Sequence, residues 1–142
     1  MLDKSKFIVL LDNGHGENTK GKCSPDKRLK EYAYTRESTN ISKDELKKWG
    51  IESEMIVPET TDITLEERCK RINNICKTRG KENCVGLSVH CNAAGNGSSW
   101  MNARGWSGWI YRSCSQNTKT LANLLYDACV ALGLKARTPM PN

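Results

Sequence analysis

Phe7-Ile8-Val9-Leu10-Leu11-Asp12-Asn13-Gly14-His15-Gly16 is the stretch that decides the fold. Five consecutive apolar residues, rich in β-formers and closed by Asn-Gly, predict a strand buried on both faces. The glycines flanking His15 predict a sharp turn as the backbone leaves the sheet. That turn lies just past a strand's carboxyl end, where open α/β sheets place their ligands. His90, the second of only two histidines, ends another apolar run, Val85-Gly86-Leu87-Ser88-Val89. Two strands that each deliver a histidine to the same sheet edge imply one shared site.

The other elements fall around these two. A polar, Lys/Gly-rich loop covers residues 17–26. A helix over residues 29–49 carries a thin apolar stripe (Leu29, Ala33, Ile41) and ends at Gly50, which suits a left-handed cap. Residues 51–57 read as a strand stopped by Pro58. Thr64-Leu65-Glu66-Glu67 is a capping box, opening a helix with Leu65, Cys69, Ile72 and Ile75 or Cys76 inward. A Gly/Asn/Ser-rich loop follows His90, then a predicted strand at Trp109-Ile110-Tyr111. Ser115 caps a last helix with Leu121, Leu124, Leu125, Ala128 and Leu132 inward, closed by Gly133. The tail, Thr138-Pro139-Met140-Pro141-Asn142, has neither helix nor strand character. This order predicts an α/β fold: a three-layer domain with a mostly parallel, twisted sheet flanked by helices. Right-handed crossovers align the strands' carboxyl ends and so bring His15 towards His90.

Composition bounds the class. The chain has 142 residues, 37% of them hydrophobic, and is expected to form a single domain over 1–142 with a real core. No apolar run reaches the roughly 18 residues of a membrane span. The start, Met1-Leu2-Asp3-Lys4-Ser5-Lys6, has no signal-peptide pattern, which leaves release by a lytic partner or a lost leader as routes to the exterior. Net charge is +6, with Lys20, Lys22, Lys27, Arg28 and Lys30 close together. That patch would suit a polyanion such as an anionic wall polymer, although a solvated lysine-rich loop is the simpler reading. No nucleic-acid motif is present, and no nucleic-acid partner is expected. The seven cysteines cannot all pair within one chain and include no C-x-x-C. Most read as small buried hydrophobes of a reducing compartment, Cys69 and Cys76 on a helix's inner face.

A catalytic zinc site takes three protein ligands and leaves a position for water. His15 and His90 supply two. Glu31, in the first turn of the first helix, is the preferred third, with Glu17 and Glu37 as alternatives. A carboxylate there also gains from the helix dipole.

Four stretches together, Asp12-Asn13-Gly14-His15-Gly16, Leu29-Lys30-Glu31, Leu65-Glu66-Glu67-Arg68 and Leu87-Ser88-Val89-His90-Cys91-Asn92-Ala93, resemble the zinc-dependent N-acetylmuramoyl-L-alanine amidases of the amidase-3 type. Gly105-Trp106-Ser107-Gly108-Trp109-Ile110-Tyr111 is similar to that family's following strand. The resemblance implies Zn2+ on His15, Glu31 and His90, and hydrolysis of the amide between N-acetylmuramic acid and L-alanine in peptidoglycan or a muropeptide. Asn92 and the loop over residues 95–104 are candidates for the substrate groove, and Trp100, Trp106 and Trp109 are candidates either for stacking on sugars or for the core. The family's general acid/base is a second glutamate near the C-terminus, and here the pattern departs. After Glu82 the sequence has no glutamate, and Asp127, mid-helix, is its one acidic residue. No catalytic acid/base is therefore identified. The expectation is a C-terminally incomplete domain with weakened hydrolysis and an uncovered sheet edge open to self-association. A non-catalytic peptidoglycan-binding module fits the same departure. A histidine phosphatase fits less well, since residue 14 is glycine where R-H-G would need arginine. A nucleotide-binding loop lacks its glycine pattern. Phage-type lysin and bacterial wall-remodelling enzyme both remain open as sources.

Overall fold

β1 spans Ile8–Asn13, two residues beyond its apolar run. Asp12 and Asn13 stay extended because they remain in ladder with β3 (Cys84–Val89): Ile8 pairs with Cys84 and Asn13 with Val89. On its other side Ile8 pairs with Glu52 and Leu11 with Met55 of β2 (Glu52–Met55). Both ladders are parallel and the order is β2-β1-β3, so the most apolar strand is central. The computed structural model describes residues 4–137, so the predicted irregular tail at Thr138 and beyond lies outside the described residues. It divides into two units, Met1–Cys91 and Asn92–Asn142.

The first unit holds the sheet, α1 (Glu31–Lys48) and α2 (Leu65–Arg79). Side chains alternate along β1. Ile8 and Leu10 meet Ile56 and Val57 together with Ile72, Ile75 and Cys76 of α2. Leu11, fully buried, points to the opposite face, and α1 lies against all three strands. Helix, sheet and helix make the expected three layers, each buried aliphatic contributing about 1.5–3 kcal/mol.

The helices turn differently from their apolar patterns. On α1 the expected stripe of Leu29, Ala33 and Ile41 is exposed, and Glu31, Thr35 and Thr39 are buried instead. These recur at four-residue spacing, so they share one face. Their hydroxyls cost little to bury because both are satisfied: Thr35 Oγ1 donates to Gly14 O at 2.9 Å and Thr39 Oγ1 to Thr35 O at 2.9 Å. On α2 the cap forms as predicted, Thr64 Oγ1 accepting from the Glu67 N–H at 3.2 Å. Leu65, however, is 80% exposed, and Cys69 is exposed too. Arg68 takes the inward position because backbone and carboxylate acceptors at the sheet's end await it.

In the second unit α3 (Gln116–Ala131) forms with its Ser115 cap. The expected strand at Trp109-Ile110-Tyr111 does not form. Among the described residues the segment has no ladder partner, and Trp109 is 81% exposed. Pairing in that region is a single parallel bridge between Trp106 and Ala136. Leu124, Leu125, Ala128 and Leu132 are exposed rather than inward, and the half-buried face of α3 carries Leu121, Tyr126 and Cys129.

Candidate metal centre

The β1–β3 register brings the two histidines together. The Gly14 N–H donates to Val89 O at 3.0 Å, extending the ladder one residue past Asn13. His15 and His90 then leave the same end of adjacent strands, with ring centroids 5.0 Å apart, edge to face.

The turn is made differently from its glycine pattern. The left-handed residue is His15 itself, at φ 61°. The flanking glycines are needed for close approach. A Cβ on Gly14 would lie 2.4 Å from His90 Nδ1, and one on Gly16 1.9 Å from the Asp62 backbone nitrogen.

Glu31 arrives from the other direction. Residues 22–30 close a compact loop, with Ser24 N–H donating to Leu29 O at 2.9 Å and Glu31 N–H to Lys22 O at 3.0 Å. This delivers the first residue of α1, 6% exposed, to the sheet's end. Its Oε1 accepts from the Cys91 N–H at 2.8 Å. The same oxygen stands 3.3 Å from His90 Nδ1 and 3.6 Å from His15 Nε2. Of the three carboxylates considered from sequence, Glu31 is the one that joins the histidines. Glu17 lies exposed, within reach of Thr60 Oγ1, and Glu37 is exposed on α1.

These separations are long for hydrogen bonds. Two donors held about 2.0–2.1 Å from one tetrahedral zinc stand about 3.3 Å apart, close to what is seen. One atom from each of His15, Glu31 and His90 lies within 4.8 Å of the others, so the donor set fits a divalent ion. Burial pushes the His15 imidazole below its ordinary value, with the Glu31 charge opposing. That favours the neutral ring a metal needs.

A second set of residues, whose role the sequence did not show, fixes the turn. Arg68 Nη1 donates to Asp12 Oδ1 at 2.6 Å and to Asn13 O at 2.8 Å, while Nη2 reaches Asp62 Oδ1 at 2.8 Å. Ser88 Oγ adds a bond to Asp12 Oδ2 at 2.7 Å, tying β3 to the same group. Asp62 accepts from Thr19 Oγ1. Burial pushes the Asp62 carboxyl up, but the bonds from Thr19 and Arg68 outweigh it and hold it low. Arg36 Nη1 donates to His15 O at 2.9 Å and Tyr32 O at 3.1 Å. The available signal was polar spacing: Glu31, Thr35 and Thr39 are one helical face, and a helix with so thin an apolar stripe must bury something else.

Asn92 lies in the second unit, where its Nδ2 donates to Gly105 O at 3.2 Å and Ser107 Oγ at 2.9 Å. The amide thus closes the loop it begins. The Trp106 ring lies tilted against Tyr126, centroids 5.4 Å apart, while Trp100 and Trp109 stand exposed. Asp127 is exposed on α3.

The sequence model of one family, N-acetylmuramoyl-L-alanine amidase, matches residues 9–139. Among solved structures, the chain is similar to the catalytic domain of CwlV, an N-acetylmuramoyl-L-alanine amidase from Bacillus (Paenibacillus) polymyxa var. colistinus. The TM-score is 0.71 at 23% identity, over 92% of this chain and 67% of that one. At that identity the likeness bears on the fold. No curated protein matches.

Proposed function

This chain belongs to the N-acetylmuramoyl-L-alanine amidase family, and from that premise we propose that it is a zinc amidase acting on peptidoglycan, with the ion on His15, Glu31 and His90. The bond cleaved is the amide between N-acetylmuramic acid and L-alanine, and the place of action is the cell wall. The observation that carries the reading is the spacing of one Glu31 oxygen from the two imidazoles, 3.3 and 3.6 Å, too long for good hydrogen bonds and suited to a shared ion.

Bound zinc supplies a Lewis acid for the scissile carbonyl and lowers the pKa of water to about 7. The chain's own groups hold and orient. The Cys91 N–H fixes the Glu31 carboxylate, the His90 ring lies close over Gly14, and burial favours the neutral form of His15. A general base to take the water's proton and return it to the leaving amine has no counterpart after Glu82 except exposed Asp127. A chain limited to these residues would hydrolyse about 10²–10⁴-fold more slowly than an enzyme with that group. The same departure favours, as a second reading, a module that binds peptidoglycan without cleaving it. Among the described residues β3 has a ladder partner on one side, and self-association through its other side belongs to the proposal.

Zinc content after dialysis tests the metal reading. One zinc per chain is expected in the wild type and a loss in each of His15→Ala, Glu31→Ala and His90→Ala. Retention in all three defeats it. Muropeptide release, measured beside sedimentation with insoluble peptidoglycan, separates a slow amidase from a binding module.

A further inference from the structure

Both halves of the peptide unit joining His15 to Gly16 are held by side chains. On one side the His15 carbonyl accepts from Arg36 Nη1 at 2.9 Å. On the other, the Gly16 N–H donates to Thr19 Oγ1 at 3.0 Å, and Thr19 in turn donates to Asp62, which Arg68 grips. Arg36 is itself braced, donating through Nε to Glu59 O at 3.1 Å and through Nη2 to the same carbonyl.

We propose that Arg36 and Thr19 are positioning residues for the ligand His15, clamping the 15–16 peptide plane so that the imidazole faces Glu31 and His90. The inference rests on the zinc reading above and deepens it. His15 needs such a clamp because its φ of 61° is a conformation that residues with a side chain rarely adopt. Freed of the clamp, the residue relaxes towards negative φ, and that rotation swings its Cβ, and the ring with it, away from the other two ligands. Arg36 suits the task because a guanidinium serves several acceptors from one rigid fork, here two loops and its own helix. Bonds from a charged donor are also the stronger kind.

The test compares wild type, Arg36→Ala, Arg36→Lys and Thr19→Val in the full chain. Three measurements are made on each: zinc affinity by competition with a chromophoric chelator, the visible spectrum of the cobalt(II)-substituted protein, and urea stability of the metal-free form. Loss of a group that orients a metal ligand typically lowers affinity by about 10–100-fold. That fall is expected for Arg36→Ala and Thr19→Val, with an altered cobalt spectrum. Arg36→Lys is expected to recover part of the affinity, since an ammonium can meet the His15 carbonyl but not Glu59 at the same time. Wild-type affinity and spectrum in folded Arg36→Ala and Thr19→Val overturn the proposal, as does lowered urea stability with unchanged affinity. Should Arg36→Ala fail to fold, Thr19→Val, which removes one hydroxyl, decides by the same criteria. A wild-type chain that takes up no zinc overturns the metal reading and this proposal with it, whereas binding that all variants share overturns the clamp alone.

Discussion

Gly14→Ala isolates the contact that holds His90 against the turn. The added Cβ would stand 2.4 Å from Nδ1 and 2.5 Å from Cε1 of His90, and 2.9 Å from Val89 O. Nonbonded heavy atoms rest at about 3.5–4.0 Å, so the ring must retreat by about 1 Å. Functional constellations tolerate only about 0.5 Å. His90 has room to yield, its side chain being 48% exposed, whereas the Val89 carbonyl is backbone and its shift falls on the fold. The cost in folding is expected at about 1–3 kcal/mol, as for other overpacked sites. The cost in zinc affinity is expected at about 10²-fold, the upper end for disturbing a ligand's support. The assay is chelator competition on protein whose folding is verified by circular dichroism. A cycle with His90→Ala then tests the route. If alanine acts by displacing His90, adding it to His90→Ala costs no further affinity. Folded Gly14→Ala binding zinc as tightly as wild type would refute the steric reasoning, and additive losses would show that it acts elsewhere.

Other expectations follow from the same structure. Gly16→Ala places its Cβ 1.9 Å from Asp62 N and 2.5 Å from Asp62 Cα, backbone that cannot swing aside. A loss of about 3 kcal/mol is expected in urea unfolding, and an unchanged midpoint refutes it. Glu59 is held at about 2, below its ordinary 4.5, by the hydrogen bond from Arg71. A carboxyl lowered by folding lends its stability in full above the unfolded value and loses it as pH falls through the folded one. Wild-type stability should therefore decline between about pH 5 and pH 2, and Glu59→Gln should flatten that decline. Parallel curves for the two proteins across that window refute the assignment.

The sequence made the architecture and the meeting of His15, Glu31 and His90 legible because both rest on short-range pattern. An apolar run ended by Gly-His-Gly, a second run ended by His90 and the crossover rule were enough to align two strand ends. Glu31 followed from its place at the start of a helix. The inward faces of the helices were not legible, since apolar periodicity assumes that apolar residues do the burying. On α1, threonines with satisfied hydroxyls pack inward and Ile41 stands outside. On α2, Arg68 displaces Leu65 and Cys69 because it bonds the oxygens of Asp12, Asn13 and Asp62. The Trp109-Ile110-Tyr111 segment has strand composition, but composition cannot supply the neighbour that a ladder requires. The role of Gly14 was hidden for a related reason: it concerns a ring 76 positions away, not the local turn.

The left-handed histidine has a bearing on how this protein can be engineered. A side chain in that region costs about 1–2 kcal/mol that glycine would not incur. A library selected only for heat resistance would therefore drift towards glycine at position 15 and discard an imidazole along with the strain. Mutagenesis aimed at hardiness should hold that codon fixed and seek its gains elsewhere in the chain.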